Sequence, residues 1–505
     1  MPIKTTKLVT LLLAVSLIFI TDGFAGERQT RQYFQKIKNN PSRLRLFLKT
    51  FPKGGELHNH IDGAIFSENH IKWAAEDNKC INTESFIVKF APCDIKNKTV
   101  PVSSLFNNDS LYNKTIDAFS VRNYQWGKRS GHDQFFATFE KFAIADFGHF
   151  SDMLAAVTFR SEKQNLHYLE LMQSMGMPQA WIYAGKQPQF KNNPDTHTLI
   201  NDKKLKQIMQ QTLKSLDKEE ALWKQKLHCS SEQPAPGCQV TVRYLAQVIR
   251  TFPNDQILAQ TILAFMLVQN DPRYVGINFV APEDAPITLK NYTKQMQIIR
   301  DVAKNFPQLQ HRISLHAGEL VQGLVTNEAL AFHIDEAVNI AGAKRIGHGV
   351  DIAFEDHAEQ ILKKMAQQKI AIEINLTSND IILGIKGKKH PYQLYFQAGV
   401  PIVLSTDDEG VLRIDLTHEY QRAVETYHLS YNTLKTFSRN ALQYSFLDGK
   451  SLFSQYEKNK FNRVCAKSNF KKMSEACKKF LQKNDKARLQ WQLEKAFLEF
   501  ESHYL

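Results

Sequence analysis

Short apolar runs rich in β-branched residues alternate with longer segments of helical periodicity along most of the chain. The runs have the length of strands, and most of the intervening segments are long enough for crossover helices. This alternation is typical of an α/β protein, and eight such runs predict a closed (β/α)8 barrel. The predicted strands are Gly55–His60, Leu166–Gln173, Val240–Val248, Gly276–Ala281, Arg312–His316, Arg345–His348, Ala371–Leu376 and Ile402–Ser405.

Residues 1–25 show a different pattern. Lys4 and Lys7 precede an apolar run from Leu8 to Ile20, and small residues follow it at Gly23 and Ala25. This order is typical of a cleaved secretory signal. Because the run is shorter than the ~20 residues of a membrane-spanning helix, we expect no stable membrane insertion. The pattern therefore predicts a secreted or periplasmic protein.

Three further regions lie outside the predicted barrel, which we place at residues 51–450. Residues 26–50 have the amphipathic pattern of a helical extension. Residues 78–128, rich in Asn, Ser and Lys, predict an insertion after the first strand. Residues 451–505 predict a Lys-rich helical tail. Any of the three could mediate a homodimer, and the sequence does not decide between a monomer and a dimer.

Charge and cysteine content narrow the class of protein. The chain has 64 Lys and Arg against 51 Asp and Glu, for a formal net charge of +13. The basic residues are scattered rather than clustered with aromatic residues, so we do not expect a nucleic-acid partner. Six cysteines in a secreted chain favour disulfides, with reduced cysteines as the alternative. They form three close pairs: Cys80 with Cys93, Cys229 with Cys238, and Cys465 with Cys477.

Potential metal ligands concentrate at the ends of predicted strands. His58 and His60 end the first strand, His316 ends the fifth, and Asp407 follows the eighth. The carboxyl ends of barrel strands meet at one mouth, so we expect these four side chains to converge. Imidazole and carboxylate ligands without thiolates suit a catalytic zinc, which predicts one zinc per chain. Iron, manganese and cobalt remain alternatives.

Three more polar residues adjoin the predicted metal site. Glu319 follows His316 by three residues and could move a proton. His348, between two glycines at the end of the sixth strand, could orient a water or help to remove its proton. Asp408, next to a predicted ligand, is placed to accept a hydrogen bond from a substrate. Together these residues predict hydrolysis by a metal-activated water.

The segments that contain these residues resemble the signature set of the adenosine deaminase family. They are residues 53–64, 316–319, 345–349 and 404–408, and the resemblance runs from about residue 51 to residue 447. The signal-like start and residues 117–122 and 131–136 resemble the secreted branch of the family, the adenosine deaminase growth factors.

The resemblance implies a TIM barrel of the metal-dependent hydrolase type. It implies hydrolysis of adenosine, and of 2′-deoxyadenosine, to inosine and ammonia. It also implies a role for each matched residue: His58, His60, His316 and Asp407 as zinc ligands, Glu319 as the acid that protonates purine N1, His348 and Asp408 as holders of the attacking water with Asp408 also facing N7, Gly276 as the glycine whose amide meets N3, and Asp62 as a neighbour of the ribose 5′-hydroxyl.

Two positions depart from the family pattern, and three alternatives stay open. Asn278 stands where Asp is common, and Glu409 stands where Pro often follows, which leaves specificity at the ring edge open. One alternative is a deaminase of another aminopurine. A second is an unrelated amidohydrolase of the same barrel class. The third is an extracellular signalling or binding protein of the same family.

Overall fold

Eight parallel strands form the centre of the protein. The computed structural model describes residues 26–124, 129–191, 194–468, 470 and 472–505, so the predicted signal at 1–25 lies outside the described residues. The strands are β1 (Gly54–His60), β2 (Leu166–Gln173), β3 (Thr241–Ile249), β4 (Tyr274–Val280), β5 (Ser314–Ala317), β6 (Arg345–His348), β7 (Ala371–Ile374) and β8 (Ile402–Leu404). Each lies within two residues of its predicted bounds.

The strands form two four-stranded sheets, each in chain order, and all neighbours pair in parallel. Single parallel bridges connect the two sheets, Ile277 to Ile313 on one side and Asn59 to Asp407 on the other. The structure thus confirms an α/β fold with a curled parallel sheet. Closure into a complete (β/α)8 barrel stays a prediction, which the two bridges favour.

Helices alternate with the strands and cover them. The α-helices are residues 26–37, Pro41–Thr50, Ser67–Glu76, Asp109–Ala118, Gly131–Phe142, Phe150–Lys163, Met177–Gly185, Thr196–Leu199, Lys203–Lys226, Asn254–Asn270, Pro286–Ala303, His333–Asn339, Ala358–Gln368, Leu376–Leu383, Tyr392–Ala398, Leu416–Tyr427, Tyr431–Gln443, Glu475–Gln482 and Asp485–Ser502. Among the helices that the structure describes, none has the length and apolar character that crossing a membrane requires.

Burial on both faces explains the apolar composition of the strands. Every residue of β1, β4, β5, β6, β7 and β8 is buried. Strands between an interior and a layer of helices have no solvent-facing side, so their sequences read as continuous apolar runs. Polar residues in such strands therefore need partners inside the protein, and these partners build the site described below.

The insertion after β1 lies over the carboxyl ends of the strands. It contains a three-stranded antiparallel sheet of Cys80–Asn82, Val88–Lys89 and Thr99–Pro101. Its apolar side chains form a cluster with those of Val350 and Val411, which follow β6 and β8. The insertion therefore partly covers the mouth toward which the strands point.

Both terminal regions pack into the main core. Phe34 and Phe47 of the helical N-terminal extension share one apolar cluster with Phe497 and Phe500 of the tail. The tail is not helical throughout, because it begins with an antiparallel pair, Phe453–Gln455 with Lys460–Phe461. Asn459 closes that turn with a φ of 50°, a left-handed conformation that Asn tolerates better than most residues.

All three predicted cysteine pairs are joined as disulfides, and no described cysteine is free. Each bridge closes a short local loop of 9 to 13 residues. The bridges lie in the insertion, in the loop before β3 and in the tail, and none contains a polar residue of the strand ends. They stabilise peripheral segments and take no part in the site.

A buried ion pair system connects the two sheets. Arg345 on β6 lies between Glu170 on β2, 2.6 Å away, and Glu373 on β7, 2.5 Å away. All three side chains are fully buried. The guanidinium also lies 4.0 Å from the centre of the Phe446 ring and donates a hydrogen bond to the Tyr444 carbonyl. Removal of Arg345 would leave two buried carboxylates without their cation.

We expect Arg345→Met to lower the free energy of unfolding by about 3–5 kcal/mol, because breaking a buried pair leaves uncompensated charge. The control Lys304→Met removes an exposed pair with Asp301 and should cost no more than about 1 kcal/mol. Urea denaturation of both variants, free of metal, measures the difference. Equal losses in the two variants would contradict a structural role for the Arg345 pairs.

Candidate metal centre and active site

Four side chains from separate strand ends meet at the mouth. His58 and His60 lie on β1, His316 lies on β5, and Asp407 follows β8 by three residues. His58 Nε2 lies 3.1 Å from both His316 Nε2 and Asp407 Oδ1. His60 Nε2 lies 3.2 Å from His316 Nε2 and 3.3 Å from Asp407 Oδ1. The structure thus brings together the four residues predicted as metal ligands, and all four are buried.

The outer nitrogen of each of these histidines faces a hydrogen-bond acceptor. His58 Nδ1 lies 2.7 Å from Glu373 Oε2, and His60 Nδ1 lies 2.8 Å from Gln247 Oε1. His316 Nδ1 lies 2.7 Å from Asn278 Oδ1. An acceptor at Nδ1 holds a proton there, so each ring in its neutral form carries its lone pair on Nε2. The three Nε2 atoms and an Asp407 carboxylate oxygen thus converge on one position.

A divalent cation fits this arrangement. Three lone pairs and a carboxylate oxygen without protons between them repel one another, and a metal ion converts the repulsion into ligation. Ligands about 2.0–2.1 Å from a tetrahedral zinc lie about 3.3 Å from one another, close to the observed 3.1–3.3 Å. The acceptors at Nδ1 are the outer partners that metal-binding histidines commonly have.

The Glu373 carboxylate links the metal centre to the buried ion pairs. Glu373 contacts His58 on one side and Arg345 on the other, and it accepts a hydrogen bond from Ser314 Oγ. Burial opposes ionisation of Glu373, but the Arg345 guanidinium and His58 keep its pKa below the usual value. An ionised Glu373 holds the proton of His58 on Nδ1.

The backbone at the junction of β8 and β1 fixes Asp407. The Asp407 amide donates to the His58 carbonyl, and the Asp407 carbonyl accepts from the His60 amide. Glu56 Oε1 accepts from the Thr406 amide at 2.8 Å. Asp407 has a φ of 68°, a left-handed conformation that costs free energy for a residue with a side chain. The bridge between β8 and β1 holds the ligand in this strained conformation.

Three buried polar atoms around the metal centre have no hydrogen-bond partner. They are His348 Nε2, Glu319 Oε1 and Asp408 Oδ1. His348 Nε2 lies 3.9 Å from Asp407 Oδ2, and Glu319 Oε1 lies 3.6 Å from His348 Nδ1. Buried polar atoms in native proteins nearly always have partners, so unpaired atoms of this kind mark a position for a water or a substrate.

The loop after β5 holds Glu319 in place. Glu283 accepts hydrogen bonds from the amides of Gly318 and Glu319, at 3.0 and 2.9 Å. Burial opposes ionisation of Glu283, but its hydrogen bond and charge interaction with His333 lower its pKa to about 2. Burial, and then the Asp407 carboxylate, raise the pKa of Glu319 well above its usual value. A carboxyl group with a raised pKa can donate a proton.

Asp408 packs against the backbone of Gly63. A Cβ at position 63 would lie 1.5 Å from Asp408 Oδ1, so only glycine allows this approach. Burial raises the pKa of Asp408 well above its usual value. Asp408 and Glu319 line the same cavity, where either could contact a substrate.

A cavity of about 280 Å³ opens onto the metal centre. Its polar side contains His60, His316, Glu319, Asp407 and Asp408, and Asp62 lies at its rim. Its apolar side is formed by Phe135, Phe136, Phe139, Ile249 and Val280. The three phenylalanines belong to helix Gly131–Phe142. Sequence reasoning missed their role, although their i, i+1, i+4 spacing indicates one apolar helix face.

A second space adjoins the cavity at Asp62. This side compartment has a volume of about 430 Å³ and lies between the loop after β1 and the end of β2. Asp146 and Glu219 line it, together with Gln173 and Ser174. No Lys or Arg is among the described residues that line either space. Asp62 thus lies where a group attached to a ligand in the cavity would emerge.

Gly276, the predicted contact to the purine N3, is not among the described residues that line the cavity. Gly276 lies early in β4, where an added Cβ would meet Phe446 and the Arg312 carbonyl. Four residues of extended chain separate it from Val280, a distance of about 13 Å. Val280 and Ala281 line the cavity instead. Ala281 has a φ of 84°, a strained conformation that no sequence pattern revealed.

The two departures from the family pattern contact protein groups. Asn278 binds His316 Nδ1, as described above, so it orients a metal ligand. Glu409 accepts hydrogen bonds from Arg160 and Gln164, both at 3.0 Å. Neither residue is among those that line the cavity. In the structure both side chains therefore bind protein groups outside the lining of the cavity.

Comparison with known proteins gives a consistent result. Residues 206–455 match the family model described as adenosine deaminase. Adenosine deaminase from Clostridium perfringens is 26% identical over 183 residues, which cover 36% of this chain and 51% of that protein. Adenosine deaminase from Aliivibrio fischeri is 35% identical over 157 residues, 31% of this chain and 42% of that protein. The chain thus spans about half the length of the curated relatives it matches.

Solved structures share the fold at low sequence identity. Arabidopsis ADAL complexed with IMP has a TM-score of 0.52 and 18% identity, covering 91% of this chain and 99% of that chain. The N6-methyl-AMP deaminase from Arabidopsis thaliana has a TM-score of 0.50 and 19% identity, covering 80% and 94%. The chain therefore has homologues among adenosine deaminases and a fold shared with deaminases of other purines.

We expect purified protein to contain one zinc per chain and His316→Ala to lose it. Gln247→Leu removes the acceptor at His60 Nδ1 and should weaken zinc binding about 10–100-fold. The control His357→Ala replaces an exposed histidine outside the site and should bind zinc as the unchanged protein does. Elemental analysis after titration with a chelator measures each affinity. Unchanged binding by Gln247→Leu would contradict the orienting role of the outer acceptors.

Proposed function

We propose that this protein is a secreted, zinc-dependent deaminase that hydrolyses adenosine and 2′-deoxyadenosine to inosine and ammonia. The observation that carries the proposal is the cavity, where a metal-ligand cluster lies beside an acid, an imidazole and a second carboxyl group that lack partners. Hydrolysis of a ring C–N bond requires an activated water, a proton donor to the ring and groups that orient both.

Different residues around the cavity would perform each of these steps. The zinc, when bound, would supply a water of lowered pKa. In the proposed reaction Glu319 gives a proton to the ring nitrogen while the water oxygen forms a bond to the carbon that bears the amine. His348 and Asp408 hold the water oxygen. A carboxylate of the cavity takes the first proton that the water loses and passes it to the amine. The bond from carbon to the exocyclic nitrogen then breaks, its electron pair leaves with ammonia, and the second water proton returns to Glu319.

The apolar wall accounts for recognition of a flat ring. Phe136 and Phe139 line the cavity that opens onto the metal centre, on a helix that begins after the insertion. Aromatic side chains give a purine a large contact area in a cavity with few hydrogen-bonding groups. The ring is thereby held with one edge toward Glu319.

The charge of the side compartment favours an uncharged nucleoside over a nucleotide. Asp62 and Glu219 place carboxyl groups in the space beyond the cavity, together with Asp146, which pairs with the buried His70, and no described Lys or Arg lines this space. A ribose 5′-hydroxyl could donate a hydrogen bond there, whereas a 5′-phosphate would meet like charge. Juxtaposed like charges cost several kcal/mol. This charge distribution supports adenosine as substrate.

The secreted location and the growth-factor-like branch belong to the same proposal. Three disulfides support an oxidising compartment, where such bonds persist. The resemblance of residues 117–122 and 131–136 to the secreted branch adds to this support. Localisation of the tagged full-length protein by cell fractionation tests it.

We expect Glu319→Gln to lower kcat about 10²–10⁴-fold, because the amide cannot donate the proton that the ring nitrogen needs. Zinc content should not change, since Glu319 is not among the four ligands. The control Glu328→Gln replaces an exposed glutamate nine residues away and should keep full activity. Turnover is followed by the ultraviolet absorbance of the purine. Full activity in Glu319→Gln would exclude the proposed acid.

A substrate panel tests the substrate itself. We expect kcat/KM for adenosine and 2′-deoxyadenosine to exceed that for AMP at least about 100-fold, because the phosphate meets the acidic compartment. Glu219→Gln should lower this ratio of the kcat/KM for adenosine to the kcat/KM for AMP. Asp217→Asn, which neutralises an exposed carboxylate on the same helix, should leave it unchanged. Preference for AMP would overturn the nucleoside assignment, and preference for adenine would indicate a deaminase of another aminopurine.

A further inference from the structure

His348, the fourth histidine at the metal centre, has a hydrogen-bond donor rather than an acceptor at its Nδ1 atom. The Nδ1 atoms of His58, His60 and His316 face acceptors, as described above. His348 Nδ1 instead lies 2.9 Å from the side-chain nitrogen of Asn379, which is a donor. A ring nitrogen that receives a hydrogen bond carries a lone pair, so the proton of a neutral His348 is on Nε2.

The orientation of the Asn379 amide is itself fixed. Asn379 Oδ1 lies 3.0 Å from His390 Nε2, and the backbone amide of Tyr392 donates to His390 Nδ1 at 3.1 Å. A backbone N–H can only donate, so His390 Nδ1 accepts and His390 Nε2 carries the proton. That proton needs an acceptor, which must be Asn379 Oδ1. The Asn379 amine is then left to donate to His348.

We propose that Asn379 and His390 are positioning residues that hold His348 in the tautomer with its proton on Nε2. A chain of hydrogen bonds runs from the Tyr392 amide through His390 and Asn379 to His348, and each bond determines which atom donates in the next. Asn379 and His348 are completely buried, and His390 is 2% exposed. Bulk water therefore does not compete for these bonds.

The tautomer determines what His348 can do at the metal centre. His348 Nε2 is unpartnered and faces Asp407 across 3.9 Å, so it presents an N–H to the space beside the ligand cluster. His348 thus donates a hydrogen bond to the attacking oxygen and does not accept its proton in the resting enzyme. This consequence rests on the proposed function, whereas the tautomer itself does not.

The position of Glu319 agrees with this tautomer. Glu319 Oε1 lies 3.6 Å from His348 Nδ1 and has no hydrogen-bond partner. A proton on His348 Nδ1 would draw Glu319 into a hydrogen bond and away from the cavity. Because Asn379 donates to His348 Nδ1, Glu319 stays free to face a substrate ring. A carboxylate of the cavity, and not His348, then accepts the proton of the water.

Neutron diffraction from crystals of the zinc-loaded, deuterium-exchanged protein tests the tautomer directly. We expect nuclear density for deuterium on His348 Nε2 and His390 Nε2, and none on Nδ1 of either ring. Deuterium on His348 Nδ1 would overturn the proposal. This result does not depend on turnover, so it separates failure of the tautomer from failure of the proposed function.

Three variants test the consequence for catalysis. Asn379→Asp offers only acceptors, so it should move the His348 proton to Nδ1 and lower kcat about 10²–10³-fold, as expected for loss of a donor to the reacting oxygen. KM and zinc content should change little. His390→Gln can still accept from Tyr392 and donate to Asn379, and it should retain near-normal kcat. His390→Leu removes both hydrogen bonds of the His390 ring, and its loss of kcat should lie between those of the other two variants.

The two substitutions at position 390 keep the proposal testable if Asn379→Asp does not fold. Equal kcat in His390→Gln and His390→Leu would contradict the proposal, as would full activity in a folded Asn379→Asp. If Asn379 and His390 had a merely structural role, their substitution would lower stability and zinc content together. Glutamine at position 390 would then not restore kcat relative to leucine.

Discussion

The site depends on one electrostatic constraint. Three imidazole nitrogens and a carboxylate oxygen converge on one position, with 3.1–3.3 Å between neighbouring atoms, because hydrogen bonds at the far side of each neutral ring hold its proton on Nδ1. A bound metal ion relieves the resulting repulsion. Glu373, Gln247 and Asn278 therefore decide, from outside the centre, what the centre can bind.

Much of the surrounding structure supports this constraint. Arg345 keeps Glu373 ionised and connects it to Glu170 on the other sheet. The bridge between β8 and β1 holds Asp407 in a strained conformation between its histidine neighbours. The insertion after β1 covers the mouth and leads into the helix whose phenylalanines close the cavity. Stability and chemistry here share the same buried charges, so removal of one partner affects both.

The sequence predicted the parts of the protein that follow from local pattern. Apolar runs located the eight strands, and polar residues at strand ends located the metal cluster. Long-range partners had no such signal. Gln247 and Glu373 are polar residues inside apolar strands, and their role follows from contacts with histidines on a strand that does not neighbour their own. The lining of the cavity next to β4 depends on where that strand ends, which the sequence pattern does not mark, so Val280 and Ala281 line the cavity and Gly276 does not. The Lys-rich composition of the tail favoured a helix throughout, and it gave no signal for the antiparallel pair that turns at Asn459.

The most direct test of the central claim is an anomalous difference map from crystals of the protein as purified, measured on both sides of the zinc absorption edge. The account predicts a single peak that appears only above the edge, about 2.0–2.2 Å from Nε2 of His58, His60 and His316 and from a carboxylate oxygen of Asp407. No peak at these four atoms in protein that retains activity, or a peak held by other residues, would contradict it.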